Sequence, residues 1–450
     1  MCTVGFAESY GTYRLSQRQR QVQQRSLAQD GPGGWGRKSG SAPEIEAIMS
    51  WTSRTEGPAL AGAADGARRS SRWWDGIDAA RGLALLGLLA VPFMPADDHE
   101  IQESTWSGLL LSGAPVALFV LLAGVGLAFD SGGRFPHRGR WLAADRMGMA
   151  VQAILMAAVG LGAGALMPEG APADNILIYY AVFLVLAIPF LHLSATALFV
   201  CAALMWIVGP LLMQAMTEVM PAYAPSTPTS VDGVSGAAGR ISHLLFTGSH
   251  PILSYMTCLL VGLGLGRMRL RDTGVQVRVL AAGAALVICA QAAFVVSYAF
   301  DGYDRLLTSN RTSMEVRVWG PEVLPTDSPW WPALIPAPTG TAWTIAAGLG
   351  VGLLVLGSLL LATRKFGAWL LPLSALGAMG LTLYTAHLMA LSFQAHYDQP
   401  SLWYLLPLVV VALVARTWQR ATLGPGPLER VVSTSVEATR RAVLHRSHHR

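Results

Sequence analysis

The chain has 450 residues, 52% of them hydrophobic and 13% charged, against roughly 25% charged in a soluble globular domain. A mean hydropathy of +0.43, with the apolar residues grouped in long blocks, excludes an ordinary water-soluble enzyme. The net charge of +5 is spread over short connections and tails, with no basic stripe that would follow nucleic acid.

Residues 1–70 differ from everything after them. The run from Gln17 to Arg25 and the stretch Gly31–Gly40 are polar, rich in Gln, Arg and Gly, and without periodicity. They lack the apolar surface that would offset ordering entropy, so a disordered cytoplasmic tail is expected over 1–70. No apolar h-region follows Met1, so no cleavable signal peptide is expected. Nothing before Met49 has the pattern of a structured element, and a start at Met49 is an expectation that N-terminal peptide sequencing tests.

A membrane-spanning helix needs about 20 mostly apolar residues. Segments that meet this lie near 77–95, 107–129, 147–167, 175–193, 195–216, 250–267, 278–299, 342–363, 368–393 and 402–418. The fold class expected is therefore all-α, a polytopic bundle of about ten transmembrane helices over 71–420, with a cytoplasmic tail over 421–450. The boundary between the fourth and fifth segments is only His192-Leu193-Ser194. Gly160-Leu161-Gly162-Ala163-Gly164 and Gly262-Leu263-Gly264-Leu265-Gly266 read as faces where helices approach closely in lipid. The cysteines Cys201, Cys258 and Cys289 fall inside apolar blocks and read as small hydrophobes; with Cys2 they show no metal spacing or disulfide framework.

Orientation follows from Lys and Arg in the short connections. Arg134, Arg138, Arg140 and Arg146 lie in 130–146, Arg267, Arg269, Arg271 and Arg278 in 267–278, and Arg364-Lys365 between the eighth and ninth segments. The alternate connections 96–106, 168–174 and 394–401 have neither Lys nor Arg. This alternation predicts both termini inside and a multi-pass protein of the inner (plasma) membrane. Two long outer connections, 217–249 and 300–341, are rich in Pro, Ser and Thr, with Trp330, Trp331 and Trp343 where an aromatic belt would lie.

Three groups of polar residues exceed what plain membrane helices need. Asp78 and Arg81, three apart at the start of the first segment, share a helix face and can pair. Asp97-Asp98-His99-Glu100, beyond the same segment, places a histidine among carboxylates that favour its charged form and can orient it as a general base. The solvated-loop reading of this cluster and the helix-start ion pair reading of Asp78–Arg81 stay open beside these. His387 lies within the ninth segment, about 9 Å below its outer boundary at 1.5 Å per residue, and an ionisable group inside a span is a functional candidate. Asp78 and His99 are about 31 Å apart along a helix and belong to opposite faces of the bilayer. His99, Asp97 and His387 would then form an outer set, and Asp78 and Arg81 with Arg140, Arg146 and Arg267 an inner set.

Arg72–Pro95, with its core Gly76-Ile77-Asp78-Ala79-Ala80-Arg81-Gly82-Leu83, resembles the first helix of the bacterial membrane family grouped with the heparan-alpha-glucosaminide N-acetyltransferase catalytic domain. Ala117–Val125, Asn175–Tyr180, Gly262–Leu270, Leu381–His387 and the ending Gly426-Pro427-Leu428-Glu429-Arg430 are similar to stretches of the same group, the last to its uncharacterised branch. The chain departs from that pattern at Pro92, where relatives often carry histidine, and at Gly113-Ala114, where Gly-Arg is frequent. The resemblance implies a membrane-embedded, acyl-CoA-dependent O- or N-acyltransferase that passes an acetyl group to a sugar or other envelope acceptor. It implies that His99 answers to the catalytic histidine, with Asp97 or Asp98 orienting it and His387 lining the pocket. Asp78, Arg81 and the inner arginines Arg140, Arg146 and Arg267 would bind the acyl-CoA donor. The partners expected are the lipid bilayer and a small-molecule or glycan acceptor, with no nucleic acid or metal, and a homo-oligomer is compatible. A transporter, or an inactive protein using the same cavity, is the competing reading, against which no inverted repeat is seen.

Overall fold

Backbone N–H and C=O groups find no water in a lipid core, so a chain this apolar must satisfy them within its own helices. The computed structural model describes residues 74–90, 97–98, 103–104, 113–167, 175–219, 243–247, 250–299, 341–392, 409–410, 413, 417 and 426–445. Among these it is helical throughout, apart from turns and one two-residue ladder. In chain order the elements are α1 (74–90), β1 (Asp97–Asp98), β2 (Glu103–Ser104), α2 (Ala114–Asp130), α3 (Arg140–Gly164) and α4 (Ile176–Ala187). They continue with α5 (Ala195–Val219), α6 (Ile252–Gly266), α7 (Thr273–Ala299), α8 (Ala342–Ala378), α9 (Gly380–Leu391) and α10 (Pro427–His445).

Helices α1 to α7 and the first part of α8 fall in order on the first eight predicted segments. Four helices are long and apolar enough to cross a membrane: Arg140–Gly164, Ala195–Met213, Thr273–Ala293 and Ala342–Gly367. A bent pair, Trp369–Ala378 with Gly380–Leu391, makes a fifth, and Ala114–Asp130, Ile176–Phe190 and Ile252–Gly266 are shorter apolar helices. The protein is thus an all-helical membrane bundle.

At its centre α2 is buried without a break from Ala114 to Ala128 and packs on α6 and α8. Peripheral α5 and α7 instead expose Leu204, Ile207, Leu211 and Ile288, the apolar outer surface expected to face lipid acyl chains. The α2–α6 contact is made by glycine. A Cβ on Gly124 would meet Leu263 N at 2.7 Å, and one on Gly262 would meet the Leu121 carbonyl carbon at 2.8 Å, so each glycine admits the other helix's backbone. In α3 only part of the Gly160–Gly164 run behaves this way. Gly160 packs against Leu177 and Ile178 of α4, whereas Gly162 faces open space.

Arg364-Lys365 falls at the end of the membrane-length helix Ala342–Gly367; α8 leaves helical geometry at Phe366 (φ −114°, ψ 23°) and resumes at Trp369, at the expected boundary between the eighth and ninth segments. Arg364 is held there by Gln276 Oε1 at 3.0 Å and the Arg271 carbonyl at 2.7 Å. The ninth predicted span, 368–393, is not straight; it breaks at Met379 and turns through 71° between α8 and α9. Pro372 lies in the segment before the break and Gly377 packs its backbone onto α1, so this stretch is shaped by α1 and does not continue as a simple rod. The tenth predicted span, 402–418, lies outside the described residues except 409, 410, 413 and 417. Residues 1–73 and most of the two long connections also lie outside them.

The basic connections gather at one end of the bundle. Trp74 of α1 meets Phe129 of α2 with ring centroids 5.0 Å apart, Arg267 reaches the end of α2, and Gly76 packs on Thr363. At the opposite end Asn175 donates to the Gly160 carbonyl (2.6 Å) and Trp206 to the Ala342 carbonyl (2.6 Å).

Candidate functional site

Arg81 Nη1 donates to Asp78 Oδ1 at 2.9 Å, and both side chains are almost wholly buried. The i, i+3 spacing makes the pair local to α1, but its surroundings come from elsewhere in the chain. The α8 segment before the break crosses α1 at this point. A Cβ on Gly377 would meet the Asp78 carbonyl carbon and Gly82 N at 2.8 Å each, and one on Gly82 would meet Leu373 at 3.0 Å. The ion pair therefore sits where α1 touches the only broken span among the described residues. An ion pair this deep in an apolar helix has lost its hydration and persists only because it is paired.

Arg267, at the end of α6, is also buried, and its donors are directed at backbone. Nη1 reaches the carbonyls of Ala128 (3.1 Å), Ser131 (3.1 Å) and Gly133 (2.7 Å), while Nη2 reaches Ser131 Oγ (2.9 Å) and the Leu191 carbonyl (2.6 Å). It thus braces the carboxyl end of α2 and the turn after it, adding a donor to the Ala128 carbonyl already reached by Gly133 N, and ties α2, α4 and α6 together. Arg140 and Arg146, the other two inner arginines, are exposed on α3.

Between these lies Asp145, buried at the start of α3. Its Oδ2 faces His137 Nδ1 at 2.7 Å and its Oδ1 pairs with Arg440 of α10, which also donates to the Asp130 carbonyl at 2.9 Å. The loop carrying His137 needs Gly132 at φ 102°, a value that L side chains avoid. Helix α10 itself lies along α3, burying Val432 and packing Val436 and the Arg440 stem over Gly148. At its other end the wholly buried Glu429 accepts from Thr382 N (3.0 Å) and Thr382 Oγ1, while Leu428 N donates to Thr382 Oγ1 at 3.2 Å. That carboxylate caps the first turn of α9.

His387 lies on α9 five residues past Thr382, buried, with its ring 6.4 Å from that of Tyr384. Asp97 and Asp98 form β1, paired antiparallel with Ser104 and Glu103; His99 follows immediately and lies outside the described residues. Of the expected inner set, Asp78, Arg81 and Arg267 lie at one end of the bundle, with Arg140 and Arg146 on the surface there. The expected juxtaposition of His387 with His99 lies outside what the described residues contain. His250, edge-on to Tyr179 and Tyr255 at 5.9 Å from each ring, is a further histidine towards the opposite end that sequence reading did not single out.

The family model described as heparan-alpha-glucosaminide N-acetyltransferase, catalytic, matches residues 72–296, half of the chain. The chain belongs to this family. No curated protein matches it. The matched segment begins at the helix that carries Asp78 and Arg81 and ends in α7, so it includes the Arg267 brace and the Asp145 pair. The break, His387 and α10 lie beyond it. Sequence reading missed Asp145, His137, Arg440 and Glu429. An acid inside an otherwise basic connection was the available signal for Asp145, and the acid three residues past Gly426 was the signal for Glu429.

Proposed function

We propose that this member of the heparan-alpha-glucosaminide N-acetyltransferase catalytic family is an inner-membrane acyltransferase of ten spans with both termini inside. It takes an acetyl group from cytoplasmic acyl-CoA and passes it to a sugar or other envelope acceptor. The observation that carries this reading is the buried Asp78–Arg81 pair at the crossing of α1 with the broken span, inside the family segment and at the end where the basic connections gather. A buried guanidinium beside a helix break suits the anionic donor, and the exposed Arg140 and Arg146 add positive charge around it.

His99, oriented by Asp97 or Asp98, takes the proton of the acceptor O–H or N–H. The freed lone pair attacks the thioester carbonyl, the C–S bond breaks, and its electron pair leaves with the CoA thiolate. His387 lines the path from α9. The test is purified full-length protein given radiolabelled acetyl-CoA, with candidate glycan acceptors and with His99→Ala and Arg81→Ala as controls. Labelled acceptor or free acetate, lost in both variants, is the expected result. Absence of both acetyl-CoA binding and turnover in the unaltered protein refutes it.

A further inference from the structure

We propose that Glu429 is a positioning residue: from the C-terminal helix it fixes α9, and through α9 the imidazole of His387. The role in transfer rests on the acyltransferase reading, but the positioning itself does not.

A break in a membrane helix creates a new helix amino terminus whose first N–H groups have no partner within the helix. Here that terminus belongs to α9, and its acceptor comes from 47 residues further along the chain, as Glu429 Oε1 on Thr382 N. The second carboxylate oxygen takes the Thr382 hydroxyl, and that hydroxyl receives Leu428 N, so Thr382 is held from two directions. Glu429 is wholly buried, and its negative charge lies at the positive end of the α9 dipole and in the first turn of α10. The fit is close on the far side as well: a Cβ on Gly426 would meet Thr382 Oγ1 at 2.7 Å.

His387 follows Thr382 by five residues, about 7.5 Å along the helix, so the direction of the capped turn sets where the imidazole sits. The other end of α10 is anchored independently, by Arg440 on Asp145 and on the Asp130 carbonyl. Because α10 is one continuous helix between these anchors, it links the α9 break to the His137–Asp145 loop as a rigid strap.

The experiment uses the full chain in lipid nanodiscs, comparing the unaltered protein with Glu429→Ala, Glu429→Gln and Thr382→Val. Hydrogen exchange is read at the first-turn amides of α9, and the rate of diethyl pyrocarbonate modification is read at His387 by mass spectrometry. In Glu429→Ala the Thr382 amide should exchange faster by roughly two- to thirtyfold, the range that loss of an N-cap implies, and His387 should react faster too. Glu429→Gln, which keeps an oxygen acceptor, should restore most of the protection. Thr382→Val should shift both readings in the same direction by less, and it decides the matter if Glu429→Ala does not fold. Unchanged exchange and unchanged His387 reactivity in a folded Glu429→Ala or Thr382→Val protein overturns the proposal. If the unaltered protein turns over acetyl-CoA, Glu429→Ala should lower kcat with KM for the donor unchanged. Absence of both acetyl-CoA binding and turnover in every form, with the two structural readings as expected, refutes the acyltransferase reading and leaves the positioning intact.

Discussion

Replacing Gly377 by alanine tests whether the crossing of α1 with the broken span is as close as the structure has it. The added Cβ would stand 2.8 Å from the Asp78 carbonyl carbon and 2.8 Å from Gly82 N, and closer still to the Asp78 carbonyl oxygen. Ordinary van der Waals contact begins at 3.4 Å, so the two 2.8 Å contacts alone require the backbones to part by 3.4 − 2.8 = 0.6 Å, and the carbonyl oxygen requires more than that. Both partners are backbone, with no flexible side-chain end to give way. Forced overpacking of this kind costs about 1–3 kcal/mol, and the gain in helix propensity from Gly to Ala offsets up to about 1 kcal/mol of it. The net expectation is a loss of about 1–2 kcal/mol, a fall of a few degrees in the thermal midpoint in detergent. Because Asp78 carries the strain, Arg81 moves with it, and in the acyltransferase reading acyl-CoA affinity should fall more than stability alone would explain. Gly162→Ala is the matched control, since nothing lies within 4 Å of its Cβ; there the propensity gain should stand alone and stabilise by up to about 1 kcal/mol. Equal midpoints for the two variants would refute the close crossing and the placement of the ion pair against it.

Arg267→Met removes a guanidinium that serves four carbonyls and a hydroxyl, and leaves the carboxyl end of α2 without its donor from the end of α6. The Ala128 and Ser131 carbonyls keep the backbone donors Gly133 N and His137 N, so a loss of about 2–3 kcal/mol is expected, chiefly from the Gly133 and Leu191 carbonyls, with Arg267→Lys recovering only part, read as thermal midpoints in detergent. Single cysteines replacing Arg138 and Arg269 in a cysteine-free protein should both be labelled by an impermeant maleimide only in inside-out vesicles, and a cysteine replacing Ser230 only in right-side-out ones. Labelling of the Arg138 and Arg269 positions from opposite sides would refute the both-termini-inside topology.

Much of the helical framework is legible in the sequence because lipid leaves the backbone few alternatives, and apolar length alone reports it. The boundary before α5 illustrates this: α4 ends at Ala187, a 3-10 turn covers Ile188–Phe190, and the short interruption His192-Leu193-Ser194 is enough to start a new helix at Ala195. The break at Met379 is not legible in the sequence although Gly377 and Gly380 flank it, because glycines in a membrane helix mark close packing as readily as a bend. Pro372 lies seven residues before it, and the bend is shaped by a contact with α1 that no local pattern records. The same limit applies to Arg267. Its place in a basic connection suggested an anion ligand, whereas its donors reach the ends of α2 and α4, 76 to 139 residues away in sequence. Composition reports which residues are polar, but only packing reports what they are facing.

The bend also changes how the polar residues relate to one another. Gly377, two residues before the break, lies against the Asp78 carbonyl, and α9 starts from a turn capped by the helix whose Arg440 holds Asp145. The Asp78–Arg81 pair and the helix of His387 are therefore joined through one short segment, Gly377–Thr382. In the acyltransferase reading this matters for distance: an acetyl group presented near Arg81 has a buried imidazole beside its route, set into the bundle by α9. A site whose two halves share one backbone hinge needs that hinge held, and the buried Glu429 carboxylate at its far side supplies the hold.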